Sequence, residues 1–220
     1  MSALYVFALT DRAARPLRHG RRRIEFIDLA GIHAAVEHVS ARPSLSETAL
    51  RAQHAIVMQI AASVDAILPA RFGALLDRKE LEALVAMRRE PILQALQLVS
   101  GRTQMTVRIF TSAGTLETPH AAAVDARRAA MTGSAYLEQR RREAAAPLSA
   151  LAVELSGAVR DFVHAERTER GHGRVDGTLY HLIDQRLVSQ YRKAIDRLRS
   201  SSVVVTGPWP PFAFVPDLWP

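Results

Sequence analysis

The stretch of sequence that says most about the fold reads Gly207-Pro208-Trp209-Pro210-Pro211-Phe212-Ala213-Phe214-Val215-Pro216-Asp217-Leu218-Trp219. Both tryptophans of the protein and two of its seven phenylalanines lie in it. Each proline fixes φ and removes a backbone donor, so the prolines at its start favour an extended, polyproline-like path. We expect residues 208–220 to form an ordered tail, folded back with Trp209 and Phe212 in an apolar groove between helices. The alternative is a docking arm that stays exposed until a partner arrives.

Four separated blocks of the sequence resemble one known family. The first is Val203 to Phe212, a strand-like run followed by Gly-Pro-Trp-Pro-Pro and an aromatic residue. The others, in chain order, are Tyr5-Val6-Phe7, a helical segment from His54 that leads into Leu68-Pro69-Ala70-Arg71-Phe72-Gly73, and Gly133-Ser134-Ala135-Tyr136-Leu137 followed by Arg140-Arg141-Arg142. In order and spacing they are similar to the gas vesicle protein L/F family (GvpL/GvpF), over nearly the whole chain.

The resemblance implies two α+β domains of ferredoxin-like character with a C-terminal tail. It also implies an accessory protein of gas vesicles, the gas-filled protein shells that give cells buoyancy. The expected partners are the small hydrophobic shell protein and other gas vesicle accessory proteins, and the expected location is the cytoplasm and the gas vesicle. The L-type and F-type roles both stay open.

The pattern of apolar residues and breakers independently predicts a mixed α+β fold. In the first half the predicted elements are strands at 4–9, 24–29, 32–39 and 66–68, a basic loop at 11–23, a helix capped by Ser46, a second capped by Asp77, and a third from Pro91 to Gly101. In the second half they are a strand at 103–111, helices at 121–146 and from 147 to about 164, a flexible loop at 166–173, a strand at 175–183, a helix at 187–199 and a strand at 203–206. This order predicts an N-terminal domain over 1–101, a C-terminal domain over 102–207 and the tail over 208–220.

Composition narrows the class of protein. The 220 residues include no cysteine, which excludes disulfides and thiolate metal sites and fits a reducing cytoplasm. No run approaches the ~20 apolar residues that a membrane span needs, so no membrane partner is predicted. The net charge is +7, and the basic run Arg18-His19-Gly20-Arg21-Arg22-Arg23 has no acid until Glu25. This charge indicates either an acidic or nucleic-acid partner or simply a solvated, arginine-biased surface.

Catalytic signals are missing from the sequence. It has no glycine-rich phosphate loop, and Ser63 with Asp65 and His181 with Asp184 make no triad pattern. His164, His172 and His181 could converge around a loop, but the carboxylates that a metal would need there cannot be placed. We therefore predict a protein that is not an enzyme, with no cofactor, no metal and no small-molecule substrate.

The candidate binding or structural residues come from the resembling blocks: Arg71, Phe72, Tyr136, Trp209 and Phe212. Arg71 follows a strand-ending proline, which favours a buried guanidinium that bonds to backbone carbonyls or a carboxylate. The alternative is an arginine that contacts a partner. Tyr136 has the same two interpretations, as a core residue of a helix or as a contact.

The rival function is a basic nucleic-acid-binding module on a ferredoxin-like sheet. It would use residues 18–23 and 140–142. No aromatic pair lies on a clear central strand, where base stacking would need one, so a nucleic-acid partner is disfavoured.

Overall fold

The computed structural model of the chain describes residues 3–110, 150–171, 174–198, 200 and 202–219. The first half forms strands β1 (Ala3–Thr10), β2 (Leu17–His19), β3 (Arg22–Leu29), β4 (Ile32–Val39), β5 (Ile67–Pro69) and β6 (Leu75–Leu76). Its helices are α1 (Glu47–Ala61), α2 (Arg78–Met87) and α3 (Arg89–Val99). The strands make one antiparallel sheet in the order β2-β3-β4-β1-β5, with β6 also paired to β1.

Local sequence explains most of these element ends. The β3–β4 turn has positive φ at Ala30 and Gly31, the backbone that a tight two-residue hairpin requires. The Ser46 hydroxyl accepts the Ala49 N–H at the start of α1, and Asp77 and Glu80 form a reciprocal capping box on α2. The predicted strands and helix caps of this half are confirmed.

Two cores lie on opposite faces of the first sheet. A register shift in β1 between Val6 and Ala8 turns Phe7 and Ala8 towards the same side as Tyr5. On that side they pack against the apolar stripe of α1, which includes Ile56 and Ile60. The other face packs against α2 and α3, and its core also contains Leu182 of the second sheet and Phe214, Leu218 and Trp219 of the tail.

The second half forms β7 (Arg102–Phe110), α4 (Ala150–Val159), β8 (Val163–Arg170), β9 (Val175–Asp184), α5 (Val188–Asp196) and β10 (Val203–Trp209). Short 3₁₀ turns cover Arg160–Phe162, Gln185–Leu187 and Phe212–Phe214. The strands make an antiparallel sheet in the order β10-β7-β9-β8. One face, which includes Met105, Val107 and Leu179, packs against α4 and α5.

Two local predictions are wrong. Residues 166–170 of the segment that was predicted as a flexible loop belong to the edge strand β8, which pairs with β9 and is also held by bonds from Glu166 to His181 and from Glu169 to Tyr180. Charged side chains are typical of edge strands, so their density is not a loop signal there. The basic residues 18–23, which were predicted to lie in a loop, form most of the β2–β3 hairpin. The mixed α+β class is confirmed, whereas the ferredoxin-like character and the division at residue 101 stay predictions.

Candidate interaction surface at helix α1 and the C-terminal tail

The tail leaves β10 along a path that β7 holds in place. The Thr103 hydroxyl donates to the Trp209 carbonyl at 2.9 Å, and the Ala213 N–H donates to Gln104 Oε1 at 2.8 Å. The Trp209 indole donates to the Thr206 hydroxyl at 3.3 Å. These bonds pair polar groups of the tail with polar groups of the folded protein, so the tail has a defined position from its first residues.

Gly207 is required where the tail begins. Its φ is +115°, and a Cβ at this position would lie 2.8 Å from the Gln104 carbonyl oxygen. The Gly207 carbonyl accepts a hydrogen bond from the Arg192 guanidinium, and the Gly207–Pro208 peptide bond is cis. The glycine therefore lets β10 lie against β7 up to the point where the prolines take over.

The tail is folded back, but its buried anchors lie further along than expected. Phe214 is 3% exposed and packs in the first core with Leu218 and Trp219, while the Arg167 guanidinium lies over its ring at 5.8 Å. Phe212 is 42% exposed, and Trp209 is half-buried. The expectation that Phe212 fills an apolar groove is therefore wrong, because the 3₁₀ turn that follows Pro211 places Phe212 and Phe214 on different sides.

An exposed apolar surface lies where the tail crosses α1. Leu50, His54 and Met58 are spaced four residues apart and so share one stripe of the helix. The His54 ring lies edge-on to Trp209, with centroids 5.4 Å apart, and stacks at 22° on Phe212 at 6.4 Å. Leu50 is 44% exposed. We call these five residues the α1–tail surface.

A cleft of about 270 Å³ opens beside this surface. Its apolar wall comes from α1 and the residues that follow it, β5, α5 and the tail, and its polar groups come from the neighbouring strands and turns: Met58, Ala61, Ala62, Val64, Ile67, Val188, Pro208, Trp209, Pro210 and Pro211, with Asp65, Arg102, Thr103 and Gln185. This volume is below the usual range for small-molecule sites, about 300–1,000 Å³. The cleft is large enough to hold one or two side chains.

The Arg71-Phe72-Gly73 block is held by β1 and α1. The buried Tyr5 hydroxyl donates to Gln53 Oε1 and accepts the Gly73 N–H at 3.1 Å, and Gln53 Nε2 donates to the Ala70 carbonyl at 3.2 Å. Burial raises the pKa of Tyr5, so the phenol stays protonated as this network needs. The Phe72 ring packs edge-on to Tyr5 at 6.3 Å.

The Arg71 side chain is at the surface. It is 70% exposed, and its partner at 3.2 Å is Asp217, which is 85% exposed. The expectation of a buried guanidinium is therefore wrong, because Tyr5 and Gln53 already occupy the buried polar groups of the block. Arg71 instead joins the block to the tail.

The structure brings Trp209 and Phe212 together on the α1–tail surface, whereas Arg71 and Phe72 lie in the block held by Tyr5. Tyr136 lies outside the described residues. Sequence reasoning did not identify His54 as a tail contact or Leu50 as an exposed neighbour of the tail. The four-residue spacing of Leu50, His54 and Met58 is the signal that could have separated this stripe from the buried one.

A polar cluster around the buried His181 in the second half is the alternative candidate site. His181 Nδ1 lies 2.6 Å from the Tyr191 hydroxyl, and His181 Nε2 lies 2.9 Å from Glu166 Oε2. The Ser156 hydroxyl also donates to Glu166, at 2.8 Å, and not to His181. The arrangement therefore lacks the serine–histidine hydrogen bond that would activate a serine nucleophile. Its hydrogen bonds instead connect α4, β8, β9 and α5. Among the described residues, no group of three histidines and carboxylates is placed to hold a metal.

No helix in the described part of the chain is long and apolar enough to cross a bilayer.

Comparison with known proteins identifies one family. The family model described as "Gas vesicle synthesis protein GvpL/GvpF" matches residues 3–216. The crystal structure of GvpF from Microcystis aeruginosa is similar, with a TM-score of 0.69, 15% identity, and 98% of this chain and 100% of that chain covered. GvpF from Anabaena sp. PCC7120 gives a TM-score of 0.66 at 15% identity, with 98% and 99% covered. No curated protein sequence matches at a significant level.

Proposed function

Since the chain belongs to the GvpL/GvpF family of gas vesicle synthesis proteins, we propose that it is a non-enzymatic accessory protein of gas vesicle assembly. In this proposal it binds the hydrophobic shell protein and acts as an adaptor or minor structural component, in the cytoplasm and at the vesicle. The observation that carries the proposal is the α1–tail surface.

The physical need is clear from the chemistry of a gas-filled protein shell. A shell subunit must bury a large apolar surface against its own copies, and before assembly that surface is an aggregation hazard. A partner that covers it needs exposed apolar and aromatic groups on a rigid support. Leu50 and Phe212 supply exposed apolar groups beside the half-buried Trp209, and the bonds from Thr103 and Gln104 supply the support.

The nucleic-acid alternative finds less support. A sheet that stacks bases needs one open face. In the described part of the chain, one face of the second sheet is covered by α4 and α5. The other face carries Gln104, whose side chain accepts a hydrogen bond from the Ala213 N–H of the tail. Residues 140–142, which this alternative would also use, lie outside the described residues.

We also propose that the second half has ferredoxin-like character. Its strand order β10-β7-β9-β8 and the positions of α4 before β8 and α5 before β10 support this. The two-domain division is supported by the separate core of the second half. The shared first core, with Leu182 and the tail in it, would then be the interface between the domains.

Co-expression with a gas vesicle shell protein tests the proposed function. We expect the shell protein to co-purify with the wild-type chain and to be lost from Leu50→Ser/Phe212→Ser. The matched control is Met87→Ser/Val153→Ser, which removes two exposed apolar side chains from other helices. The proposal fails if the wild-type chain never retains the shell protein while a GvpF relative does so under the same conditions. If the control variant loses the shell protein to the same extent, the α1–tail surface is not the binding site.

A further inference from the structure

A hairpin at the edge of the first sheet carries a concentrated positive charge. Strands β2 and β3 pair so that Arg18 lies directly opposite Arg23, and Arg21 lies in the turn between them. Side chains directly opposite each other in an antiparallel pair share one face, with Cβ atoms about 4.5–5.5 Å apart. All three arginines are exposed. We call this set the cationic hairpin.

The neighbouring acids are already engaged elsewhere. Glu37 of β4 lies 3.6 Å from Arg22, and Glu25 lies 2.6 Å from His38. Within the described residues, no carboxylate forms an ion pair with a member of the cationic hairpin. Like charges directly opposite each other destabilise a strand pair, so the arrangement costs folding stability.

The opposite face of the hairpin is anchored in the core. Ile24 is fully buried, and its cross-strand partner Leu17 packs with it on the α1 side of the sheet. The arginines are therefore presented on an ordered backbone, which reduces the entropy cost of binding.

We propose that the cationic hairpin docks an acidic protein segment, rich in aspartate and glutamate, of a second gas vesicle protein. The class of partner rests on the proposed function, whereas the site rests on the hairpin itself. Each guanidinium can bind a carboxylate through two parallel hydrogen bonds. The separation of Arg18 and Arg23 also matches carboxylates four residues apart on a helix, about 5–6 Å. Nucleic acid is disfavoured because the hairpin offers no exposed aromatic ring for base stacking: Phe26, on β3, is half-buried against the α1 core.

The probe is a fluorescein-labelled peptide with glutamates at four-residue spacing, titrated against the full chain at ~0.1 M salt. We expect Arg18→Glu and Arg23→Glu each to weaken binding by about tenfold. The control is Arg160→Glu, an exposed arginine of the second half that makes the same change in net charge. It should weaken binding less than about threefold.

Thermal melting of the same variants gives a second readout. Arg18→Glu replaces a like-charge pair by an opposite-charge pair, so its Tm should equal or exceed that of the wild type while peptide binding falls. A melting point that drops with binding would mean that the arginine serves the fold, and would overturn the proposal.

Three other outcomes would also overturn it. Equal losses in Arg18→Glu and Arg160→Glu would show attraction by net charge alone. Tighter binding of single-stranded poly-U RNA or of anionic lipid vesicles than of the peptide would assign the hairpin to those partners. If the wild-type chain does not bind the peptide, the hairpin proposal is wrong. The proposed function is unaffected by that result, since co-purification of the shell protein tests the α1–tail surface separately.

Discussion

The imidazole of His54 lies edge-on to the indole of Trp209, with ring centroids 5.4 Å apart, and so joins a helix of the first half to the end of the last strand. The Trp209 carbonyl is bonded to Thr103 on β7, and Phe214 enters the first core five residues later. One short segment thereby contacts both sheets and α1. The exposed apolar surface at this crossing is consequently held on a fixed backbone.

Two phenylalanines of the tail should respond differently to truncation. Phe214→Ala removes a buried ring from the first core, and we expect the free energy of unfolding to fall by about 3–5 kcal/mol. Phe212→Ala removes a ring that is 42% exposed, and the expected loss is about 0.5 kcal/mol. Urea denaturation followed by circular dichroism measures both.

Tryptophan fluorescence adds an independent check on the same pair, because both reporters lie in the tail. The emission of the wild type and of Phe212→Ala should be blue-shifted and protected from quencher. If Phe214→Ala melts like the wild type, the tail is not anchored in the core as described.

The Tyr5 hydroxyl should contribute measurably to stability. It donates a hydrogen bond to Gln53 Oε1 and accepts one from the Gly73 N–H. Tyr5→Phe leaves both groups without this partner in the interior. We expect a loss of about 1–3 kcal/mol in the free energy of unfolding. Tyr180→Phe is the control, since its hydroxyl bonds to Glu169 on the exposed edge strand. Similar small effects of the two substitutions would contradict the bridging role of Tyr5.

Arg71→Ala should barely change stability. Arg71 and Asp217 are both highly exposed, and ion pairs of this kind contribute about 0–1 kcal/mol. Arg71→Lys should be indistinguishable from the wild type in a urea titration. A loss above about 2 kcal/mol for Arg71→Ala would show that the guanidinium has a buried role after all.

Local features of the fold were predictable from the sequence where a few adjacent residues decide them. Ser46 and Asp77 act on backbone groups within one helical turn, and Gly31 acts on a two-residue turn. Strand β8 was missed because its stability depends on Tyr180 and His181, which lie on another strand. Propensity and charge within the segment contain no information on that pairing.

The candidate site was only partly predictable for the same reason. Its composition identified the tail as bound, and Trp209 and Phe212 do lie against α1. Which aromatic ring enters the core depends on where the 3₁₀ turn falls and on the cavity that the first sheet offers, and both are tertiary properties. The exposed state of Arg71 likewise follows from Tyr5, a residue distant in sequence.

The buried His181 cluster predicts how stability varies with pH. Burial lowers the pKa of His181 below its usual value, and the Glu166 carboxylate acts in the opposite direction without cancelling it. Tyr191, the other ionisable group in contact, has a pKa raised by burial and stays neutral. Because the folded state holds the His181 proton less tightly than the unfolded state, the unfolded chain binds more protons below about pH 6.5. The contribution of His181 is thus present above that pH and is lost as the pH falls through the folded pKa.

We therefore expect the urea concentration at the unfolding midpoint of the wild type to decrease as the pH is lowered from 7.5 to about 5.5. Histidine is the side chain whose ordinary pKa lies in this range. His181→Gln removes the titrating group, and its midpoint should be lower at pH 7.5 and nearly independent of pH across the same range. His164→Gln, at an exposed position of β8, is the matched control and should keep the wild-type slope. If His181→Gln retains the full slope, another histidine is responsible and the cluster does not govern acid sensitivity. A midpoint that rises on acidification would mean that Glu166 holds the protonated imidazole more strongly than burial disfavours it.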